Sequence, residues 1–174
     1  KRDWSSDVCS SDLQIMVVGD FTSYNGSPRA GIAVLDQNGV LQSFASGLNS
    51  VNGAIRAVAI QHTDIANDEK VIIGGDFTFV DGTARPRIAR LDATGKFDPS
   101  FDPGDGANDS VLGIIVQPWD GRVIVVGAFT EFNNNPNLRG IARLNNDKKF
   151  LPTGGGTVTL SAVGVLGSDL TISF

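Results

Sequence analysis

The chain has 174 residues and a formal net charge of −5, enough for one domain or a piece of a larger one. Its acidity argues against a phosphate-binding surface, which needs clustered Lys and Arg, so no nucleic acid is expected as a partner. The single cysteine, Cys9, excludes an internal disulfide framework; no apolar run approaches the roughly 18 residues of a membrane span, and no secretory signal is visible.

Residues 1–13, KRDWSSDVCSSDL, are rich in Ser and Asp and carry neither a helical nor a strand period. They match no later part of the chain. The segment resembles translated sequencing-adapter sequence at the ends of metagenomic gene models, and is expected to be a non-native or disordered leader in which Trp4 and Cys9 have no role.

A repeat begins at Gln14. IMVVGDFT at 15–22 returns as VIIGGDFT at 71–78 and VIVVGAFT at 123–130, and Phe21, Phe77 and Phe129 stand 56 and then 52 residues apart. Such a period suits one propeller blade per repeat, with units at about 14–50, 51–107 and 108–152. Each unit reads as four short strands, A to D. The first copy starts at strand B, whose continuous apolar run fits a strand covered on both faces. Gly19, Gly75 and Gly127 mark a bulge or close backbone approach, and the three Phe rings fill the space between blades. Turn signals follow at Tyr24-Asn25-Gly26 and Val80-Asp81-Gly82, replaced by Asn133-Asn134-Asn135-Pro136 in the third copy. Strand C is IAVLD at 32–36, IARLD at 88–92 and IARLN at 141–145. Strand D ends in Ser43-Phe44 and Ser100-Phe101 and is lost in the third copy.

Strand A appears as IRAVAIQ at 55–61 and VLGIIVQ at 111–117, with small residues, Ala57 and Gly113, at one crowded position. The turn after it is Pro118-Trp119-Asp120-Gly121 in the third unit, while residues 62–69 form a longer loop in the second; the four extra residues account for the unequal spacing. Past Gly154-Gly155-Gly156, residues 157–174 alternate as a β-hairpin does. They resemble the first hairpin of immunoglobulin-like or fibronectin-like sandwiches, so 153–174 is expected to be a linker and the start of another β module.

Three sets of residues are candidates for a special role. Asp20 and Asp76 in strand B, with Arg90 and Arg143 in strand C, are expected to pair between blades, Asp20 with Arg90 and Asp76 with Arg143; Ala128 would then mark the blade with no successor. Asp102, Asp105 and Asn108, in a loop that also holds Asp98 and Asp109, offer oxygen ligands of the kind calcium takes, although their spacing is not that of a D-x-D-x-D-G loop. His62 and Asp64 with a serine would make a hydrolase triad only if they converged, and their place in a hairpin insertion points instead to a solvated loop.

The run VIIGGDFT, then an Asp-Gly turn, RIARLDATGKFDPSF and VLGIIVQPWDGRVIVVGAFT resembles the delta-60 repeat family of bacterial β-propeller proteins over about residues 14–152. The resemblance implies tandem blades in large secreted or envelope proteins, with no shared catalytic residues. Ala128 for Asp and Val34 for Arg depart from its pattern. The expected architecture is all-β: an open arc of about three four-stranded antiparallel blades followed by a hairpin fragment. Three blades cannot close a ring, which takes about four to eight, so the missing blades are expected partners and apolar faces near Ile15 and Val123 are expected to be uncovered. The expected function is a non-catalytic scaffold or recognition surface, extracellular or in the cell envelope, for a protein or glycan ligand, with no cofactor other than the calcium already considered. An enzyme (hydrolase or lyase) whose site needs the missing blades, and a structural spacer, are the competing readings.

Overall fold

A computed structural model of the chain describes residues 14–62, 69–118 and 120–144. The leader at 1–13, Asp64, Trp119 and the hairpin expected at 157–174 lie outside these residues. Twelve strands are present among them, with no helix. They are β1 (Gln14–Val18), β2 (Ser23–Tyr24), β3 (Ser27–Pro28), β4 (Ile32–Asp36), β5 (Ile55–Gln61), β6 (Lys70–Gly75), β7 (Phe79–Val80), β8 (Thr83–Ala84), β9 (Ile88–Leu91), β10 (Val111–Val116), β11 (Val123–Gly127) and β12 (Ile141–Leu144).

The second and third blades are antiparallel sheets in the order β5-β6-β9 and β10-β11-β12, which is the expected succession A, B, C; the first shows β1 paired with β4. Strand D is shorter than its sequence promises, reduced to one bridge in each case, Leu35 with Leu41 and Leu91 with Phe97. In blade 2 the polar side chains that follow the bridge turn inward, Asp98 and Ser100 both accepting from Arg90.

The apolar run of strand B in blade 2, β6, is covered on both faces. Val71 and Ile73 join a cluster with Ile32, Ile55, Phe77 and Leu91 between blades 1 and 2. Ile72 faces the other way, into a second cluster with Ile88, Val111, Val125 and Phe129 between blades 2 and 3. Phe77 and Phe129 are fully buried, each worth roughly 1.5–3 kcal/mol over an exposed ring. Phe21 is half-buried.

Side-chain size sets how closely blades approach. A Cβ on Gly74 would lie 2.6 Å from Val111 Cγ1 and 2.9 Å from Ile114 Cδ1, so blade 3 rests its strand A directly on that glycine. On the far face of blade 3 the corresponding residue is Val126, and Val126, Ile141 and Ile115 are exposed, Ile115 by 62%. Exposure at Ile15 and in the run from Val123, at Val126, is as expected, and Ile141 beside it is uncovered too, while Val123 itself is buried against blade 2.

The three strand-B hairpins share one turn. Asn25-Gly26, Asp81-Gly82 and Asn133-Asn134 all have positive φ at both central residues, between 46° and 76°, the conformation that matches the twist of a two-residue hairpin. The third copy, which has Asn134 where the other two have glycine, keeps the same geometry, because asparagine tolerates that region better than other side chains.

Candidate functional site

The most distinctive polar cluster lies where strand B of one blade ends and strand A of the next begins. Asn52, Gly53, Ala54, Ile55 and Arg56 line one side of an open cleft of about 650 Å³, with Val18, Gly19 and Asp20 from blade 1 on the other and Asp76 completing the lining. Local backbone geometry builds it. In blade 2 the ladder slips by one residue between Ile55 and Ala57 as they pair with Gly75 and Gly74, leaving Arg56 as the extra residue of a β-bulge. Gly75 is required there, since a Cβ on it would stand 2.0 Å from the carbonyl oxygen of Ala54. Blade 3 repeats the device, with Leu112 bulged and Gly127 against the carbonyl of Ser110 at the same 2.0 Å. Gly19 differs: among the described residues a Cβ there meets only the Phe21 ring, at 3.4 Å.

Bulging aims Arg56 at the end of its own blade. Its Nε donates to both carboxylate oxygens of Asp76, 2.8 Å each. Ser110 of blade 3 donates its hydroxyl to Asp76 Oδ1 at 2.6 Å, and Arg87 donates to the Asp76 backbone carbonyl. Hydrogen bonds from Arg56 and then Ser110 outweigh partial desolvation and hold the Asp76 carboxyl down at about 2. Asp20 has Asp76's position in blade 1, and its charge reaches Arg56 across the cleft.

This arrangement corrects the expected cross-blade pairs. Asp76 pairs with Arg56 rather than Arg143, and Arg90 with Asp98 rather than Asp20. Position along the strand is the cause. Arg90 stands opposite Ile72, whereas Asp76 lies four residues further on, roughly 13 Å at the rise of a strand; Arg143 stands likewise opposite Ile124. Ala128 is therefore explained within its own blade: where blade 2 has Arg56 and Asp76, blade 3 has Leu112 and Ala128.

Arg90 joins blades by another route. Only 2% exposed, it donates to Asp98 at 2.9 Å, to Ser100 Oγ at 3.0 Å and to Gln61 Oε1 at 3.2 Å, and its guanidinium lies over the Phe101 ring. Gln61, equally buried, donates to the carbonyl of Gly121 in blade 3 at 2.8 Å. Burial works to raise the Asp98 carboxyl, but hydrogen bonds from Ser100 and the charge of Arg90 prevail and lower it.

The residues considered as calcium ligands are each engaged by hydrogen bonds within the chain. Asn108 accepts from the amides of Thr130 and Glu131, at 2.9 and 3.1 Å, and donates to Thr130 Oγ1. Asn52 makes the same three bonds to Thr78 and Phe79. Asn108 is thus a repeated staple, missed as such although it stands 56 residues from Asn52, the same interval as between Gln61 and Gln117. Asp102 accepts from the amide of Gly104, and Asp105 accepts from Asn134, so each is engaged separately. Among the described residues no three His, Cys, Asp or Glu side chains form a metal-holding group. His62, well exposed, meets Glu69 at 2.9 Å, the contact of a solvated loop.

No curated protein and no solved structure shows significant similarity to the chain. One family model matches three spans, 11–41, 66–101 and 120–147, that hold strands B and C of each blade; Asp20 and Asp76 fall inside them, while Arg56 lies between. These spans cover more than half the chain, and the repeated blades agree with the model's description: the chain belongs to the family "Domain of unknown function (DUF5122) beta-propeller".

Proposed function

We propose that the chain is a non-catalytic, delta-60-type part of a larger bacterial propeller protein, extracellular or in the cell envelope, serving as a scaffold or recognition surface. Its partners on this reading are further blades and an extracellular protein or glycan ligand. The observation that carries it is the state of the polar residues at the blade ends. Asn52, Asn108, Gln61 and Arg90 are engaged in joining strands and blades. Asp76 is held ionised by Arg56 and Ser110, which suits a fixed charge for recognition and not a proton donor near neutral pH. Unlike polar side chains also gather at one cleft, as a binding site requires and a spacer does not.

The test presents the purified chain and an Arg56→Ala variant to a panel of bacterial and host glycans, with binding and product release measured on the same samples. Saturable binding that weakens in the variant, with no product, is the expected result. Turnover of a glycan would overturn the non-catalytic reading, and absence of binding across the panel would overturn glycan recognition.

A further inference from the structure

We propose that the cleft beside Gly19 is the seat of an extended β-segment that completes blade 1 as its strand A, and that Asp20 selects an arginine at that segment's bulge. The proposal rests on the reading that further blades are partners of this chain, and it names the chemistry of the piece that docks. Three comparisons within the molecule carry it. In blade 2, β6 is paired along both edges, by β5 and β9, and in blade 3 β11 is paired by β10 and β12; β1 is paired only by β4 among the described residues. At the bulge, the amides of Asp76 and Ala128 donate to the carbonyls of Ala54 and Ser110, 2.9 Å each, and the amide of Asp20 has no such acceptor among the described residues. Finally, the space above Gly75 and Gly127 is filled by those carbonyls, whereas the space above Gly19 opens into the cleft.

Register transfers directly. In blade 2 an apolar residue stands opposite Gly75, the next is bulged, a small residue stands opposite Gly74, and pairing continues to Gln61 opposite Lys70. The same frame on blade 1 places an apolar residue opposite Gly19 and runs antiparallel along Val18 to Gln14. Residues 1–13, dense in Ser and Asp, lack that pattern. Charge then discriminates between segments. Where the strand-B end carries Asp76 the bulged residue is Arg56, and where it carries Ala128 the bulged residue is Leu112. Asp20 is of the first kind.

The probe is a synthetic peptide of the 51–61 sequence, VNGAIRAVAIQ, and the same peptide with leucine in place of its arginine, each titrated into the full chain by fluorescence anisotropy. The arginine peptide is expected to bind, to slow amide exchange in Gln14–Val18, and to exceed the leucine peptide by roughly fivefold, the upper range for a partly exposed ion pair. Gly19→Ala, whose Cβ is tolerated in the chain alone but would strike the incoming carbonyl, should abolish binding without lowering the melting temperature. Asp20→Ala should remove the preference for arginine while retaining binding. Equal binding by Gly19→Ala, or an unchanged preference in Asp20→Ala, would overturn the proposal. Absence of peptide binding by the unaltered chain would overturn it too, and would leave the glycan-panel result standing by itself.

Discussion

Blades 2 and 3 answer the same structural problem with opposite chemistry. Both leave one residue over when strand A bulges past a strand-B glycine. Blade 2 uses Arg56 against Asp76, bound in turn by Ser110 of the next blade. Blade 3 has Leu112 and Ala128 at the corresponding positions, with Leu112 more than half exposed. The side chains at this place differ between the two blades, while the bulge, the glycine and the buried Phe are common to both. Blade 1 extends the comparison, because it has the glycine and the aspartate with no strand A among the described residues.

The bulge glycines of blades 2 and 3 should tolerate substitution least. Gly75→Ala and Gly127→Ala each force a Cβ to 2.0 Å from a carbonyl oxygen, an overpacking that backbone must absorb, and should cost about 3 kcal/mol or more. Gly19→Ala should stay within about 0.5 kcal/mol. Urea titrations of the three variants measure this directly, and similar losses at all three would show that the first blade is built like the others.

The side chains beside the bulge should matter less. Converting blade 2 to the blade 3 set, Arg56→Leu with Asp76→Ala, should destabilise less than the two single changes added together, because each single change strands a charge or an apolar side chain against the wrong partner. Additive losses would mean that the two positions do not act as a pair. The smallest effect concerns pH. Asp76 has a folded-state value near 2 against an ordinary value near 3.9, so its contribution to stability is present above about pH 4 and is lost as pH falls from there to about 2. Asp76→Asn should be less stable than the unaltered chain at pH 7 and should show a shallower decline over that window, read from melting temperatures at intervals of pH.

Much of the fold was legible because its determinants are local. GDFT-type runs, Asn-Gly and Asp-Gly turns and the spacing of Phe21, Phe77 and Phe129 fix the strands and their succession, and the structure has them where the sequence puts them. The site was less legible. Pairing Asp76 with Arg143 follows from counting repeats, but a strand's pitch separates those residues, and the alternation of IRAVAIQ hides the slip that turns Arg56 toward Asp76. The loop at 98–109 looked like a cation site because its oxygens are dense. Asn108, one of them, repeats Asn52, and that repetition was the available sign of a structural role. Strand D was overestimated since Ser100 and Phe101 read as strand residues, while their contacts with Arg90 lie inside the blade.

The most direct test of the account is amide hydrogen exchange of the unaltered chain, comparing Gln14–Val18 with Lys70–Gly75. An open edge on β1 predicts that alternate amides there exchange orders of magnitude faster than those of β6, which is paired on both sides. Uniform protection of β1 matching that of β6 would show that its edge is already covered, and would contradict the open seat on which the reading of blade 1 depends.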